Sequence, residues 1–328
     1  MKLFKSPDFR DLISEARNYF GLTFNHKGLT EQIIEKDYYV TEALRIIAAT
    51  HPTQIIFKGG TSLSKGWKLI NRFSEDIDLF LKPNEFTPSL SKNGIDRKLK
   101  LIEKEVDKHP GLTLIRDVST DKGKTKGESR ASLFAYQSKF KGIPDIANRI
   151  LLEMGIRSGD HPTKEVLLSS YVAEFLRETK QSLNAEDESS FPMLLLHYRR
   201  TFVEKLFTIH SKVIKYKQNG TSIGTHARHY YDLFCLAQDD EVKRMLDSDE
   251  YQEIKENCHQ VSLIFFSENY SPPEELSFSK SEAIFPTGTL RETIVKEYEQ
   301  QCKNLCYEEN YPQWEDIEAC LEELRKVL

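Results

Sequence analysis

Two short segments between residues 54 and 81 constrain the fold of this chain most strongly. The first, QIIFK at 54–58, has the apolar content of a short strand and runs directly into GGTSLSKGWKLI, a glycine turn that opens a helix. The second, SEDIDLFL at 74–81, alternates polar and apolar residues with the two-residue period of a strand. A strand, a glycine turn with a helix and a second strand in close succession predict an α+β fold.

The second of these strands carries an Asp-x-Asp pair, Asp76 and Asp78. Alternate side chains of a strand face the same way, so the two carboxylates share one face, with Cα atoms roughly 6.5–7 Å apart. That spacing lets their oxygens converge on one hard cation such as Mg²⁺, or on two ions about 3.5–4 Å apart. Two unpaired negative charges on a half-buried strand are costly without a compensating cation. The alternative is a solvated pair at the strand end.

The glycine turn before this strand, made of Lys58, Gly59, Gly60, Thr61 and Ser62, has the features of a phosphate-binding segment. Glycines let backbone N–H groups approach a phosphate, and the N-terminus of the following helix supplies positive potential. The two hydroxyl groups add donors. Such a turn, followed so closely by Asp-x-Asp, sets phosphate-binding groups beside a predicted metal pair, which is the minimal equipment for nucleotidyl transfer.

A third carboxylate is expected, because two metal ions on one bridging aspartate pair need a further ligand. Glu153, in the predicted strand RILLEMGIR, is the best candidate. Its side chain faces the same way as Arg149 and Arg157, so the alternative is a cross-strand ion pair. Either arginine is also a candidate for holding a triphosphate.

Two polar residues stand out in the apolar pattern of the C-terminal half. Lys205 lies at the border of the apolar stripe of a helix predicted at 193–215, and it either extends to solvent or clamps a phosphate. Asp232 lies in a helix predicted at 226–238 that is apolar nearly all round, so it needs a buried partner. Arg228, one turn earlier, and Lys205 are the two candidates for that partner.

The remaining pattern divides the chain into an α+β half and a helical half. We predict a domain at 1–185, in which helices flank a small mixed sheet, and a helical C-terminal domain at 186–328. The predicted helices lie at 7–20, 29–50, 92–108, 193–215, 226–238, 248–267, 289–306 and 313–327. The predicted strands lie at 54–58 and 74–81 and near 112–118, 131–138 and 147–157.

The composition limits the classes of partner. A net charge of −5 gives no overall basic field, so any RNA contact must come from a local patch. The loop with Lys122, Lys124, Lys126 and Arg130 is either such a patch or a solvated hairpin tip. No apolar run approaches the ~18 residues of a membrane span, the N-terminus lacks a signal-peptide pattern, and five cysteines without a CxxC pair indicate reduced thiols. We therefore expect a cytoplasmic protein without a membrane partner.

Five ordered blocks of the sequence resemble the AbiEii-type nucleotidyltransferases, a branch of the DNA polymerase beta-like superfamily that includes the MenT-like toxins of type IV toxin–antitoxin systems. The blocks are IEKDYYVTEALR (34–45), FKGGTSLSKGW (57–67), RFSEDIDLF (72–80), FVEKLFTI (202–209) and RHYYDLFCL (228–236). The resemblance implies a nucleotidyltransferase-like fold for the domain at 1–185.

The resemblance also implies roles for matched residues of the first blocks. Asp76 and Asp78 are expected to bind Mg²⁺. Thr61 and Ser62 stand at the position of the superfamily's Gly-Ser phosphate motif. Arg72, which begins its block, joins them among the expected nucleotide-binding residues.

The later blocks imply roles for Lys205 and Asp232: the lysine serves nucleotide binding and the aspartate supports activity. Proteins similar to this one transfer nucleotides to tRNA acceptor ends or bind GTP, and they pair with an antitoxin that often carries a winged-helix domain. The expected partners are therefore an NTP, an RNA acceptor (a tRNA above all) and a cognate winged-helix antitoxin.

The resulting hypothesis is an Mg²⁺-dependent nucleotide transfer by a toxin. The NTP phosphates lie across the Gly59–Ser62 turn with Lys205 and an arginine, an RNA hydroxyl attacks the α-phosphate in line, and pyrophosphate leaves. Two alternatives remain. One is a nucleotide- or partner-binding module without chemistry, and the other is a phosphohydrolase or nuclease that uses the same carboxylates with water as the nucleophile.

Overall fold

The computed structural model describes residues 1–74, 76–115, 127–140 and 148–328. The protein is α+β, as predicted, with helices and a seven-stranded mixed sheet. The helices are α1 (Phe9–Thr23), α2 (Glu31–Thr50), α3 (Gly59–Thr61), α4 (Lys92–Asp107), α5 (Tyr171–Glu178), α6 (Tyr198–Asn219), α7 (Arg228–Ala237), α8 (Asp240–Leu246), α9 (Asp249–Phe265), α10 (Gly288–Leu305) and α11 (Trp314–Leu324). The strands are β1 (Ile55–Lys58), β2 (Asp76–Leu81), β3 (Thr113–Ile115), β4 (Ser129–Ala135), β5 (Arg149–Gly155), β6 (Thr163–Leu168) and β7 (Phe191–Leu196).

The strand order places the two motif-bearing strands inside the sheet. The order is β3-β4-β5-β2-β1-β7-β6, so β1 and β2 are neighbours and each has a further strand on its other side. Pairing is parallel between β2 and β5 and between β1 and β7, and antiparallel at the other four junctions. Polar groups on β1 and β2 are therefore held by backbone pairing on both sides.

The chain forms two compact units. The first comprises Met1–Lys68 and Phe73–Leu196 and contains the whole sheet with α1 to α5. The second comprises Leu69–Arg72 and His197–Leu328 and contains α6 to α11. The predicted division into an α+β domain at 1–185 and a helical domain at 186–328 stays a prediction.

Helix α2 is buried over most of its length. Its N-terminus is fixed by Thr30, whose side-chain oxygen accepts a hydrogen bond from the N–H of Ile33. Its buried residues include two charged ones, Glu35 and Lys36. The ammonium of Lys36 lies over the ring of Phe73, 5.4 Å from its centroid, on the segment that leads into β2.

In the second unit, α6 and α7 pack against each other. The predicted apolar stripe of α6 is buried, with Phe202, Leu206, Ile209 and Val213 fully shielded from solvent. Helix α7 is also largely buried, as its apolar composition predicted. This packing brings Lys205 of α6 and Asp232 of α7 together.

The segment at 191–196 corrects the helix predicted at 193–215. FPMLLL forms strand β7, which pairs with β1 and β6, and the helix begins only at Tyr198. A short apolar run fits a buried strand and a buried helix equally well by periodicity, so its pairing partners decide. Strand β6 and helices α5 and α8 likewise have no counterpart among the predicted elements.

The predicted basic loop lies partly outside the described residues, and this includes Lys122, Lys124 and Lys126. Arg130 belongs to β4, where its guanidinium donates two hydrogen bonds to the carboxylate of Glu103, at 2.8 and 2.9 Å. This arginine therefore has an internal partner.

In the part of the chain that the structure describes, no helix combines the length and apolar character that crossing a membrane requires.

Candidate active site

The two aspartates of the Asp-x-Asp pair lie on one face of β2, as the alternation predicted. Asp76 and Asp78 are partly exposed, whereas Ile77, Leu79 and Leu81 on the other face are buried. The strand therefore anchors itself in the core through its apolar face and presents both carboxylates on the opposite face.

The register of the sheet places one residue of each neighbouring strand beside Asp78. Asp78 pairs with Lys58 of β1 on one side and with Glu153 of β5 on the other. Register partners on neighbouring strands project from the same face of a sheet. Lys58, Asp78 and Glu153 thus form a row across three adjacent strands, and Asp76 lies two residues away on the same face.

The pKa of Glu153 shows how close the carboxyl groups are. Burial, followed by the charges of Asp78 and Asp76, raises it to about 7. The charge of Lys58 acts in the opposite direction. An ion pair with Arg157 does not account for Glu153, because the Arg157 guanidinium lies 3.4 Å from Glu128 instead. We call Asp76, Asp78 and Glu153 the carboxylate cluster.

The chemistry of this cluster fits a hard divalent cation. Asp78 and Asp76 raise the pKa of Glu153, a cation stabilises carboxylates held so close together, and oxygen donors are the ligands that Mg²⁺ prefers. Across residues 1–74, 76–115, 127–140 and 148–328, no three Asp, Glu, His or Cys side chains are already arranged as a complete metal-binding group. The donors are therefore of the right kind and on adjacent strands, and their side chains need rotation to converge on one ion.

Gly59 packs directly against the carboxylate of Asp78. Its φ is +79°, in the left-handed region that disfavours side chains, and a Cβ built there would overlap Asp78 Oδ2. Two features therefore require glycine at this position: the turn out of β1 and the close approach of the aspartate. Gly60 follows in α3.

The hydroxyls of the turn bond to the backbone in this structure. Thr61 donates to the carbonyl of Asp76 at 2.5 Å, and Ser62 donates to the carbonyl of Gly59 at 2.9 Å. Both side chains are buried. Thr61 thus ties α3 to the first residue of β2, and direct phosphate contact by these two hydroxyls stays a prediction.

The far end of the turn is anchored by an ion pair. The helical path of α3 continues as a π-helical turn over Ser62–Gly66, in which Lys65 donates to Asp37 Oδ1 at 2.5 Å and to the carbonyl of Ser169 at 3.0 Å. Asp37 Oδ2 accepts in turn from the N–H of Tyr171 at 2.9 Å. The glycine turn is therefore fixed to α2 and to the start of α5.

The second unit contains a buried ion pair between Arg72 and Asp232. The guanidinium Nε and Nη2 donate to Asp232 Oδ1 and Oδ2, both at 2.7 Å, in the bidentate geometry that arginine favours. Burial would raise the pKa of Asp232, but the charges of Arg72 and Lys205 hold it well below its usual range. Arg72 was predicted as a nucleotide-binding residue, and its guanidinium here faces Asp232.

Lys205 forms a second ion pair with Asp232. Its ammonium donates to Asp232 Oδ2 at 2.6 Å, so of the two partners considered from the sequence, Lys205 makes a direct contact. Burial lowers the pKa of Lys205, and the charge of Asp232 opposes that effect. The lysine does not extend into solvent, because its side chain is almost fully buried.

Sequence reasoning assigned no role to His229, which lies in contact with both residues. Its Nδ1 is 3.1 Å from Lys205 Nζ and 3.3 Å from Asp232 Oδ2. A signal was present in the sequence, because residues three apart on a helix share a face and the buried Asp232 follows His229 by three positions. We call Arg72, Lys205, His229 and Asp232 the Asp232 cluster.

A comparison with protein families identifies the chain. The family model described as "Nucleotidyl transferase AbiEii toxin, Type IV TA system" matches residues 43–321. The chain belongs to the AbiEii family. This confirms the resemblance seen in the five sequence blocks, and the matched range contains every member of the carboxylate cluster and of the Asp232 cluster.

Two further comparisons concern individual proteins. No curated protein sequence matches this AbiEii-family chain. The solved structure of MenT4, a nucleotidyltransferase toxin from Mycobacterium tuberculosis H37Rv, is similar to it, with 13% sequence identity, a TM-score of 0.47, and coverage of 96% of this chain and 99% of that chain.

Proposed function

We propose that this AbiEii-family toxin transfers a nucleotide from an NTP to an RNA acceptor, with tRNA as the acceptor class, in an Mg²⁺-dependent reaction. The observation that carries the proposal is the row of Lys58, Asp78 and Glu153 on three adjacent strands, with Asp76 on the same face and Gly59 packed against Asp78. Family membership supports the reaction type.

In this proposal, Asp76, Asp78 and Glu153 hold the metal. Bound Mg²⁺ would neutralise charge on the α-phosphate and orient the phosphates. The three carboxylates lie on strands fixed by pairing on both sides, so little backbone freedom is lost when their side chains rotate to bind an ion. Lys58, next to Asp78 in register, contributes positive charge for the phosphates.

The bonds that change are those of nucleotidyl transfer. A hydroxyl oxygen of the RNA forms a bond to the α-phosphorus and loses its proton, while the bond from the α-phosphorus to the bridging oxygen breaks and pyrophosphate leaves. Glu153 assists the activation of that hydroxyl. Water as the attacking group would give a nucleoside monophosphate and pyrophosphate instead.

The remaining predicted residues bind the nucleotide or orient the residues that bind it. The backbone of the turn formed by Lys58, Gly59, Gly60, Thr61 and Ser62 contacts the phosphates through its N–H groups. Lys205 binds the nucleotide through its ammonium. Asp232 orients Lys205, and Arg72 acts on the nucleotide through Asp232 rather than by direct contact.

The proposed partner is the cognate antitoxin of this type IV system, a protein with a winged-helix domain, and the reaction takes place in the cytoplasm with the cellular NTP and tRNA pools. Co-expression with the cognate antitoxin is expected to restore growth that the toxin alone arrests. Growth arrest that persists with the antitoxin present would contradict this pairing.

The function is tested with purified protein, each of the four α-³²P-labelled NTPs, Mg²⁺ and total tRNA, resolved on a denaturing gel. We expect label in full-length tRNA with one or more NTPs, equimolar pyrophosphate, and no labelled product in the presence of EDTA. Cleaved tRNA without incorporated label would favour a nuclease. Neither product from a folded protein would contradict the proposal and favour a binding module.

A further inference from the structure

The Asp232 cluster contains a histidine placed against the lysine that the proposed function assigns to the nucleotide. His229 Nδ1 is 3.1 Å from Lys205 Nζ, and the same ammonium is 2.6 Å from Asp232 Oδ2. Lys205 is therefore bracketed by a carboxylate and an imidazole. Arg72 occupies the other side of Asp232 with its bidentate pair.

The hydrogen-bonding inventory of the three groups selects one tautomer of His229. An ammonium has only donors and a carboxylate only acceptors. The shorter of the two Nδ1 contacts is the one to Lys205 Nζ, at 3.1 Å. If Nδ1 carried the proton, two donors would face each other there. A lone pair on Nδ1 accepts from Lys205, while Asp232 Oδ2 already receives hydrogen bonds from Arg72 and Lys205. The shorter contact therefore favours the tautomer with the ring proton on Nε2.

The charge state of the ring is consistent with this arrangement. Burial and the charge of Lys205 lower the pKa of His229 well below its ordinary value, so the imidazole is neutral near pH 7. The neighbouring His226, with its ring centroid 5.5 Å away, has a pKa lowered to about 4 by burial and by nearby cations, so it adds no charge there.

Exposure separates His229 from the other members of the cluster. The exposed fraction of its side chain is 16%, against 6% for Lys205 and 0% for Asp232. Of these three side chains, the imidazole is therefore the one most accessible to solvent. Within the described part of the chain, two of the three N–H groups of the ammonium have internal acceptors, His229 and Asp232, which leaves one for a ligand.

We propose that His229 is a positioning residue for Lys205: its Nδ1 accepts a hydrogen bond from the ammonium and, together with Asp232, directs the remaining N–H of Lys205 at the nucleotide. This inference rests on the proposed function, in which Lys205 binds the NTP. A free lysine side chain has many rotamers, and fixing it before the ligand arrives reduces the entropy cost of binding.

Three variants test the role of each ring nitrogen. His229→Asn places its amide oxygen near the position of Nδ1 and so keeps an acceptor for Lys205. His229→Gln places its amide near Nε2 and removes that acceptor, and His229→Ala removes both groups. We expect the Ala and Gln variants to raise the KM for NTP about 10-fold, as loss of a hydrogen bond to a charged group implies, with little change in kcat. The Asn variant should stay within about 3-fold of the unsubstituted protein.

The opposite ranking, in which Gln retains the KM and Asn does not, would overturn the inference, because it would assign direct ligand contact to Nε2. Equal KM values for all three variants would also overturn it. Circular dichroism and thermal melting confirm that each variant is folded, and a variant that unfolds is replaced by the tautomer measurement below.

A readout independent of catalysis is the ¹⁵N NMR spectrum of the histidine rings in the unsubstituted protein, with the His229→Asn spectrum for assignment. We expect His229 to show a protonated Nε2 and an unprotonated Nδ1 from about pH 6 to pH 8. A protonated Nδ1 would overturn the inference. If the unsubstituted protein transfers no nucleotide while His229 shows the expected tautomer, the proposed function fails and the Lys205–His229 geometry stands.

Discussion

Asp78 of β2 is the register partner of Glu153 of β5, and the charge of Asp78 raises the pKa of the Glu153 carboxyl. Because β2 and β5 are parallel neighbours, both side chains project from one face of the sheet. Two carboxyl groups in contact are costly in the absence of a compensating charge. If this pair serves catalysis, replacing one of the two carboxylates should raise the stability of the protein and lower its activity.

Replacing Asp78 by asparagine should stabilise the metal-free protein and abolish transfer. The substitution removes one of the charges that raise the pKa of Glu153, so in EDTA the free energy of unfolding should rise by about 1 kcal/mol. Transfer should fall at least ~1000-fold, because a proposed metal ligand is lost. Denaturant unfolding and the labelling assay measure the two effects, with Asp96→Asn on the exposed side of α4 as the control. A lower stability of Asp78→Asn in EDTA would contradict this account of the cluster.

Gly59→Ala should abolish activity for a reason that Gly220→Ala does not share. Both glycines have positive φ, +79° and +72°, so each alanine costs about 1 kcal/mol in backbone strain. An added Cβ overlaps Asp78 Oδ2 only at Gly59, whereas nothing lies within 4 Å of it at Gly220. We expect similar losses in melting temperature and a loss of transfer in the Gly59 variant alone. Equal transfer rates for the two variants would show that the approach of Asp78 to the turn is unimportant.

Arg72→Met should strongly destabilise the protein. The substitution leaves Asp232 buried with one of its two cationic partners removed, and breaking a buried ion pair in this way costs about 3–5 kcal/mol. Lys100→Met is the matched control, because its 2.6 Å pair with Asp96 is exposed on α4 and contributes well under about 1 kcal/mol. Denaturant unfolding followed by circular dichroism compares the two. A loss for Arg72→Met as small as that of the control would mean that the Arg72–Asp232 pair is not a structural anchor.

Glu42 should make the stability of the first unit depend on acid pH. Burial alone would raise the pKa of Glu42, but the neighbouring His109, 3.7 Å away, and hydrogen bonds from Lys2 and Arg45 lower it from 4.5 to about 2. The unfolded chain therefore binds the proton more readily, so this contribution to stability is complete above about pH 4.5 and is lost as the pH falls towards 2. The shift corresponds to roughly 3 kcal/mol at most.

The matching variant is Glu42→Gln, measured by urea unfolding at a series of pH values from 7 to 2.5. We expect it to be less stable than the unsubstituted protein at pH 7 and to lose that difference progressively below pH 4.5. A difference in the free energy of unfolding that stays constant across this range would contradict the assignment of a depressed pKa to Glu42.

The elements predicted well from the sequence are those whose information is local. The alternation in β2 assigns Asp76 and Asp78 to one face without reference to any other strand, and the glycines of the turn mark its position by their own conformational freedom. Asp232, an acidic residue in an apolar helix, likewise predicts a buried partner. These inferences require only the residues within one element.

The features that the sequence could not specify depend on pairing between distant segments. FPMLLL has no period that separates strand from helix, and its identity as β7 follows from pairing with β1 and β6. The partner Arg72 lies 160 positions from Asp232, and no local pattern connects them. The position of Glu153 beside Asp78 depends on the register of two strands, which a shift of one residue would have reversed.

The most direct test of the account is the rate at which the Asp76→Ala protein incorporates α-³²P-labelled nucleotide into tRNA, relative to the unsubstituted protein, with the labelled NTP at saturation and Mg²⁺ present. We predict a rate at least ~1000-fold lower from a variant that is folded. A folded Asp76→Ala protein that labels tRNA at the rate of the unsubstituted protein would contradict the assignment of the carboxylate cluster as the catalytic site.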